Sequence, residues 1–314
     1  MRALVTGGAG FIGSHLCDGL AAAGYEVVCI DDLSSGCPEN LAALLADGRA
    51  ELRVADARDP VAVAAAGRVD RVFHLAAPAS PPRYLGRPVD TISTCFEATL
   101  RALELADKTG ARVVVASSSE VYGEPDEHPQ REETLGRVDP VGPRACYQEG
   151  KRAAEALATS FAGAGRADVR IARIFNTYGP RMREDDGRVI SSFAARAVRG
   201  EPLEVAGDGR QTRSFCYVTD MVRGLLALAD APNAGAGPVN LGNPEEVEIL
   251  ALANRVIAVA DSSSEIVFGA PAPGDPTRRK PDTSRARRLL GFAPEIDLET
   301  GLAHTLAALT GRVL

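Results

Sequence analysis

Short apolar runs alternate with longer amphipathic segments through the first 175 residues. This pattern predicts β-strands at residues 2–5, 27–30, 51–54, 71–75, 112–116 and 169–173. Apolar positions at helical spacing predict helices at residues 14–23, 60–66, 89–109 and 144–162. Strands that alternate with helices form a parallel sheet covered on both faces, so the pattern predicts an α/β fold with a doubly wound parallel sheet.

The first predicted strand leads directly into a glycine-rich turn, Thr-Gly-Gly-Ala-Gly-Phe-Ile-Gly at residues 6–13. Gly7, Gly10 and Gly13 allow a tight turn, a close approach of the backbone to a pyrophosphate, and close packing of the next helix. The N-terminus of that helix offers N–H groups to the same anion. A flexible loop would also contain glycines, but the strand–turn–helix context favours a Rossmann-type dinucleotide site.

The second predicted strand ends at Asp31 and Asp32. A carboxylate at this point accepts hydrogen bonds from the adenosine ribose, and it repels the 2'-phosphate of NADP. The sequence therefore favours NAD, although a solvated acidic turn is the alternative interpretation.

Tyr147 and Lys151 are four residues apart in a predicted helix, so phenol and ammonium project from one helix face. A nearby ammonium lowers the pKa of a phenol, which is what a general base for an alcohol requires. A chance pair on a surface helix is the alternative. The strand ends favour catalysis, because Asp56, Ala76 and Ser118 are predicted at the same edge of the sheet as Tyr147.

Beyond residue 175 the pattern becomes mixed and rich in arginine, at residues 181–183, 188, 210, 213 and 278–280. Several of these arginines follow turns, where guanidinium groups can be presented to phosphates. We therefore expect an NAD-binding domain at residues 1–175 and a lobe for a diphosphate-linked group at residues 176–314, with parts of 215–245 returning to the first domain. Solvated surface charge is the alternative for single arginines.

Composition limits the class of protein. Hydrophobic residues are 45% and charged residues 25% of the 314 residues, which is typical of a globular enzyme, and the net charge of -7 argues against nucleic acid or an acidic membrane as partner. No secretion signal or membrane-spanning run is present, and the six cysteines include no Cys-x-x-Cys pair, so we expect a cytoplasmic protein with reduced thiols. The four histidines lack ligand spacing, so no metal is expected. Cys146, beside Tyr147, is interpreted as a packing residue.

Taken together, the glycine turn, Ser-x-Glu-Val-Tyr-Gly at residues 118–123 and Tyr-x-x-x-Lys resemble the extended short-chain dehydrogenase/reductases that act on nucleotide sugars. The finer resemblance is to the UDP-glucuronic acid decarboxylases, also called UDP-xylose synthases. Nearly unbroken segments typical of them occur at residues 74–82, 142–147, 149–152, 173–181, 186–190, 211–213, 239–246 and 279–282. The resemblance covers the whole chain.

This resemblance implies decarboxylation of UDP-glucuronic acid to UDP-xylose through a 4-keto intermediate, with tightly bound, recycled NAD. It implies catalytic roles for Tyr147, Lys151, Ser118, Glu120 and Arg279. Implied cofactor contacts are Gly7, Gly10, Phe11, Ile12, Gly13, Asp31, Asp32, Asp56, Ala57, Leu75, Ala76, Ala77, Tyr147, Lys151 and Thr177. Implied substrate contacts are Ser119, Glu120, Asn176, Arg188, Val205, Arg213 and Arg279. Relatives pair the helices at 89–109 and 144–162 across a dimer interface, which implies a homodimer.

The same residues bear on three functions other than decarboxylation. A 4,6-dehydratase uses an Asp in the position of Ser119, so dehydration lacks its acid. A C4 epimerase would leave Glu120 without a role, and it is the alternative enzyme. An NAD-sensing regulator would be expected to have lost Tyr147, Lys151 or Ser118, and all three are present.

The chain departs from the family pattern near the cofactor. Ser118 replaces the usual Thr, and Ser93, Cys95 and Ala98 replace the usual Lys, Asn and Gly. We expect weaker cofactor retention and release of part of the UDP-4-keto-xylose. The choice between a UDP-sugar and a dTDP-sugar stays open.

Overall fold

The computed structural model describes residues 1–271 and 274–311. The strands are β1 Arg2–Thr6, β2 Glu26–Asp31, β3 Ala50–Val54, β4 Arg71–His74, β5 Arg112–Ser118, β6 Asp168–Ile174, β7 Thr177–Tyr178, β8 Leu203–Ala206, β9 Thr212–Ser214, β10 Cys216–Tyr217, β11 Pro238–Leu241, β12 Glu246–Glu248, β13 Ile266–Gly269 and β14 Arg278–Arg279. The α-helices are α1 Phe11–Ala22, α2 Ala42–Ala46, α3 Pro60–Ala64, α4 Pro81–Gly86, α5 Pro88–Ser93, α6 Thr99–Thr109, α7 Ala145–Gly163, α8 Val189–Arg199, α9 Val218–Asp230, α10 Ile249–Ala260, α11 Ser284–Leu290 and α12 Leu298–Thr310.

Seven parallel strands form the main sheet, in the order β11-β6-β5-β4-β1-β2-β3. Apolar side chains project from both faces of the sheet, and helices cover each face. Leu16 of α1 and Leu225 of α9 belong to the core on one face, while Leu103 of α6 and Phe161 of α7 belong to the core on the other. The predicted doubly wound Rossmann-type fold is confirmed.

The helix predicted at residues 89–109 is not one regular α-helix. α5 is followed by a π-helical segment, Thr94–Ala98, and then by α6. At the π-helical segment, α7 comes so close that a Cβ added to Gly150 would lie 2.9 Å from Cys95 Cβ. A π-helical turn differs from an α-turn by one residue, so an apolar pattern over this length does not reveal it.

Residues 176–311 add smaller elements around a separate core. β8 pairs with β13, β9 lies between β12 and β14, and β7 pairs with β10. Phe193 of α8, Leu252 of α10 and Leu302 of α12 are buried in this second core. The chain returns to the main sheet through β11, which pairs with β6, and through α9, which packs on α1.

In residues 1–271 and 274–311, no helix combines the length and the apolar character that crossing a membrane requires.

Candidate active site

One cavity of about 770 Å³ opens beyond the carboxyl ends of the main-sheet strands, where the smaller elements cover them. The β1–α1 turn forms one part of its wall, and the ends of β4, β5 and the start of α7 form the next part. Residues of the second core's strands and of β14 complete the wall. Parallel strands with a crevice at this edge are the usual location of a ligand site in such sheets.

The β1–α1 turn has the shape that a dinucleotide phosphate site needs. Gly7 has a positive φ of +74°, and a Cβ there would lie 2.9 Å from Ala76 N. A Cβ on Gly13 would overlap the Gly7 carbonyl oxygen, so only glycine lets α1 begin this close to β1. Among the described residues, no side chain caps the N-terminus of α1, which leaves its N–H groups available to an anion. The residues present therefore fit a dinucleotide.

Asp31 lies at the end of β2 and is mostly buried beside this turn. Its carboxylate accepts from Ala9 N at 3.0 Å and from Leu33 N at 2.9 Å. Burial raises the pKa of Asp31, and the backbone N–H donors oppose that increase. Asp32 lines the same cavity and accepts from Ser34. These contacts orient the Asp31 carboxylate at the position where the adenosine ribose of a dinucleotide would bind.

The phenol of Tyr147 and the ammonium of Lys151 both lie in the cavity wall, on the first two turns of α7. Lys151 Nζ donates to Ala116 O at 2.7 Å and lies 5.8 Å from the centroid of the Tyr147 ring. The expectation that the ammonium lowers the pKa of Tyr147 is wrong for the protein alone. Burial is the largest cause and raises the pKa of the Tyr147 phenol, while a hydrogen bond with Ser118 lowers it, and burial also lowers the pKa of Lys151.

Ser118 ends β5, and the next turn presents Glu120 to the cavity. Glu120 Oε2 accepts from Gln148 Nε2 at 3.0 Å, and Oε1 lies 3.5 Å from Arg144 Nη2 and 3.7 Å from Arg279 Nη2. Burial favours the neutral acid, but the guanidinium groups of Arg279 and Arg144 together hold the pKa of Glu120 below its usual value. Glu120 is therefore a carboxylate at neutral pH.

Arg279 is the most deeply buried arginine of the site, with 2% of its surface exposed. Its Nη1 donates to the Ser119 carbonyl, while Nη2 has no hydrogen-bond partner among the described residues. A buried charged donor without an acceptor is costly, so this nitrogen is suited to an anionic group bound in the cavity.

Three other arginines of the predicted lobe are paired with acids. Arg188 bonds Asp186, Arg213 Nη2 lies 2.5 Å from Asp275 Oδ2, and Arg181 bonds Asp18. All three arginines line the cavity. In the described structure Arg210, Arg278 and Lys280 do not line it, so the prediction that their clusters reach the site does not hold for these side chains.

The structure brings the predicted cofactor and substrate residues to this cavity with one exception. Those in the wall are Gly7, Gly10, Phe11, Ile12, Gly13, Asp31, Asp32, Asp56, Ala57, Leu75, Ala76, Ala77, Ser118, Ser119, Glu120, Tyr147, Lys151, Asn176, Thr177, Arg188, Arg213 and Arg279. Val205 is fully buried in the second core, because successive side chains of a strand point to opposite sides. Its neighbours Glu204 and Ala206 line the cavity instead.

Four side chains of the site were missed from the sequence, namely Tyr84, Arg144, Gln148 and Asp275. The Tyr84 ring stacks on the Tyr147 ring, with centroids 5.0 Å apart and planes at 3°. Arg144 and Gln148 flank Tyr147 in the sequence, and that proximity was the signal available for them. Tyr84 and Asp275 come from distant segments and carried no comparable signal.

A glycine cradle and a tyrosine–lysine pair at the carboxyl edge of a doubly wound sheet define a dinucleotide-dependent α/β enzyme. The chain belongs to the NAD dependent epimerase/dehydratase family, whose model matches residues 3–242. This confirms that the protein is an enzyme and that NAD is its cofactor, and it confirms the resemblance to the extended short-chain enzymes.

The chain is similar over nearly its whole length to curated decarboxylases. It is 49% identical to UDP-glucuronic acid decarboxylase 1 of Arabidopsis thaliana over 314 residues, which is 100% of this chain and 71% of that protein. It is 47% identical to UDP-glucuronic acid decarboxylase 1 of Xenopus tropicalis, over 97% of this chain and 71% of that protein. The finer resemblance to this group is therefore confirmed.

Solved structures of the superfamily share the fold. UDP-glucose 4-epimerase from Thermotoga maritima, solved with UDP-glucose, gives a TM-score of 0.91 at 31% identity and covers 99% of both chains. UDP-glucuronic acid 4-epimerase from Bacillus cereus, solved with UDP-glucuronic acid and NAD, gives 0.88 at 28% identity, again over 99% of both chains.

Proposed function

We propose that the protein converts UDP-glucuronic acid to UDP-xylose and carbon dioxide, with NAD recycled within each turnover. The observation that carries the proposal is the pairing of Glu120 with buried Arg279 next to Ser118 and Tyr147. Alcohol oxidation needs only the hydroxyl and phenol groups, whereas a substrate carboxylate also needs a buried cation. The sequence identity of 46–49% to UDP-glucuronic acid decarboxylases supports the same reaction.

The cofactor is proposed to lie along the β1–α1 turn. The N–H groups at the start of α1 hold the pyrophosphate, Asp31 and Asp32 face the adenosine ribose, and Lys151 faces the nicotinamide ribose. Further proposed contacts are Asp56, Ala57, Leu75, Ala76, Ala77 and Thr177. NAD, when bound, supplies the acceptor for the hydride of C4 and returns that hydride at the end of the reaction.

At the C4 carbon, Tyr147 accepts the hydroxyl proton through its phenol oxygen. Ser118 donates a hydrogen bond to the same sugar oxygen and holds it against the phenol. Because burial alone raises the pKa of Tyr147, the phenolate form must be stabilised by positive charge brought to the cavity on ligand binding, together with Lys151. The lysine therefore assists the phenol rather than ionising it by itself.

Decarboxylation follows from the position of the new ketone, which is β to the C6 carboxylate. The C5–C6 bond breaks and carbon dioxide leaves. The electron pair of that bond moves toward the C4 ketone, which becomes an enolate. Arg279 orients the carboxylate through its free donor, and Ser119 lies beside it. C5 of the enolate gains its proton from water, and the Glu120 carboxylate holds that water and relays the proton. Return of the hydride to C4 then gives UDP-xylose.

Residues 176–314 are proposed to form most of the nucleotide-binding lobe, with parts of 215–245 belonging to the NAD domain. Asn176, Arg188 and Arg213 lie in the cavity wall on this side. Arg188 and Arg213 each share their charge with an acid, so a diphosphate competes with Asp186 and Asp275 for these guanidinium groups.

A C4 epimerase acting on a uronic acid is the second candidate. The Bacillus cereus UDP-glucuronic acid 4-epimerase has the same overall fold, which favours this candidate. The two activities share oxidation at C4 and differ in the fate of the C6 carboxylate.

We further propose a homodimer located in the cytosol. Val89, Ile92 and Phe96 are spaced three and four residues apart and are 80%, 43% and 40% exposed, so the α5 and π-helical segments present an apolar face. A second copy would cover it. The six free cysteines of the described structure support a reducing compartment.

The deciding experiment is proton NMR of the purified protein with UDP-glucuronic acid and NAD, together with measured release of carbon dioxide. Growth of UDP-xylose supports the proposal, and growth of UDP-4-keto-xylose with NADH supports weak cofactor retention. An intact carboxylate with inverted C4 would establish the epimerase, and no change in the sugar signals would contradict both activities. Repeating the assay with dTDP-glucuronic acid decides the base preference.

A further inference from the structure

Arg144 is held by protein groups on every side of its guanidinium. Nε donates to the Tyr84 hydroxyl at 2.7 Å, and Nη1 donates to the Gly274 carbonyl at 3.1 Å and to Asp275 Oδ1 at 3.0 Å. Nη2 lies 3.5 Å from Glu120 Oε1. Nε and Nη1 therefore both donate to protein acceptors, and Nη2 forms an ion pair with Glu120.

Arg279 differs from Arg144 in this respect. Both guanidinium groups approach Glu120, but Nη2 of Arg279 has no hydrogen-bond partner among the described residues. A buried donor without an acceptor is suited to bind a ligand, whereas an arginine that already donates three hydrogen bonds to protein groups is suited to fix its neighbours. Arg144 therefore holds protein groups in place.

Tyr84 connects Arg144 to the phenol of Tyr147. Tyr84 is 1% exposed, and its ring is parallel to the Tyr147 ring at a centroid separation of 5.0 Å. Its hydroxyl cannot move without breaking the 2.7 Å bond to Arg144. A fixed ring against one face of Tyr147 restricts rotation of the phenol about its Cβ–Cγ bond.

We propose that Tyr84 and Arg144 form a positioning pair that aligns Tyr147 and Glu120 together. Stacking on Tyr84 fixes the plane of the Tyr147 ring, and the contact with Arg144 fixes the carboxylate of Glu120. The two groups that the reaction uses for proton transfer at C4 and C5 are thereby held by one cluster. The chemical meaning of this alignment rests on the proposed function, whereas the restriction of the Tyr147 ring does not.

Tyr122 supplies a matched control. Its hydroxyl also accepts from an arginine, Arg173 Nη1, at 2.9 Å, and burial raises the pKa of both Tyr84 and Tyr122 to about 12. Tyr122 does not line the cavity in the described structure. Tyr122→Phe and Tyr84→Phe therefore remove the same chemical group from equally buried sites, and only the second touches the proposed positioning pair.

The test compares Tyr84→Leu, Tyr84→Phe, Arg144→Lys and Tyr122→Phe with the unchanged protein. Misplacement of a reacting group costs roughly tenfold to a hundredfold in rate. We expect Tyr84→Leu to lower kcat at least roughly tenfold with KM nearly unchanged. Tyr84→Phe should show a smaller loss, and Arg144→Lys should slow solvent deuterium incorporation at C5 more than oxidation at C4. Tyr122→Phe should keep the kcat of the unchanged protein.

A substrate-independent measurement separates this proposal from the proposed function. In protein labelled with 3-fluorotyrosine, the Tyr147 signal is assigned by its loss in Tyr147→Phe, and we expect it to shift in Tyr84→Leu and to stay in place in Tyr122→Phe. Failure of the unchanged protein to form UDP-xylose would overturn the proposed function only. An unshifted Tyr147 signal in Tyr84→Leu, or equal losses of kcat in Tyr84→Phe and Tyr122→Phe, would overturn the positioning pair.

Discussion

The phenol of Tyr147 is buried, and its surroundings hold the proton more tightly than water would. We expect Tyr147→Phe to lower kcat by about 10³, within the range typical of a general base, because this phenol, whose ring centroid lies 5.8 Å from Lys151 Nζ, accepts the C4 hydroxyl proton in the proposed mechanism. Substrate affinity and the thermal unfolding temperature should change little, since the ring and its stack remain. NMR turnover, calorimetric titration and a melting curve check these three expectations. Retention of most of the turnover would remove Tyr147 from the proposed mechanism.

Glu120 is held ionised by Arg279 and Arg144 against the effect of burial. Glu120→Gln keeps a side chain of the same shape but removes the charge. We expect turnover to fall roughly a hundredfold while UDP-glucuronic acid still binds, because proton transfer at C5 loses its carboxylate. Rates in D₂O with analysis of deuterium at C5 measure the affected step. Unchanged turnover would exclude Glu120 from proton transfer.

His74 makes the stability of the protein depend on pH. Its Nδ1 lies 2.8 Å from Thr6 Oγ1, and burial, with a contribution from Lys151, lowers the pKa of the ring to about 3. The unfolded chain binds a proton near its ordinary pKa of about 6.5, so between these values only the unfolded state is protonated and stability falls as pH falls.

We expect this histidine to cost about 2 kcal/mol of unfolding free energy between pH ~7 and pH ~4.5. His74→Asn should therefore lose less stability over that interval than the unchanged protein. Urea unfolding at both pH values gives the loss of stability between them for each protein. Any pH-independent effect of the substitution cancels when the two losses are compared. Equal pH-dependent losses would show that His74 is not the group responsible.

At the scale of elements, α7 and the π-helical segment Thr94–Ala98 depend on close contact at Gly150. A Cβ there would lie 2.9 Å from Cys95 Cβ, which belongs to a fully buried residue. We expect Gly150→Ala to destabilise the fold by about 1–3 kcal/mol and to lower kcat, because α7 must move and Lys151 follows directly.

Gly163 is the matched control on the same helix, since no described atom outside its chain neighbours and the backbone of α7 lies within 4 Å of an added Cβ. Gly163→Ala should be neutral or should stabilise the protein by up to about 1 kcal/mol through helix propensity. Denaturant unfolding of both variants measures the contrast. Equal stability of the two variants would mean that the close contact at Gly150 carries no energetic cost.

At the scale of the whole molecule, the proposed dimer predicts a specific sensitivity to charge. Val89 and Val61 are similarly exposed, at 80% and 75%, but only Val89 belongs to the apolar face of α5 and the π-helical segment. We expect Val89→Asp to convert the dimer to a monomer and Val61→Asp to leave it intact, because an unpaired charge in an interface is costly. Sedimentation velocity distinguishes the species. A monomeric unchanged protein, or a dimeric Val89→Asp variant, would contradict this interface.

Local patterns in the sequence were sufficient for the fold and for much of the site. The alternation of apolar runs with helical segments predicted the parallel sheet, because burial of β1, β2 and β5 on both faces leaves a continuous apolar run in each. The glycine turn and the four-residue spacing of Tyr147 and Lys151 are also local, since a turn and a helix fix such geometry over a few residues. Resemblance to known relatives then supplied Glu120 and Arg279, which no spacing rule connects.

Tertiary structure decided the properties that depend on segments far apart in the chain. The pKa of Tyr147 rises because distant segments exclude water from it, which the nearby Lys151 does not reveal. Tyr84, Arg144 and Asp275 meet only when three segments far apart in the chain fold over the sheet edge. The sequence by itself determined the strands and helices of the sheet and the chemical groups near its edge, because these follow from the local periodicity of the chain and from the residue types. How deeply a side chain is buried, which group it pairs with and whether it is charged all depend on residues that are distant in the chain but close in space. Only the folded molecule therefore determined these properties.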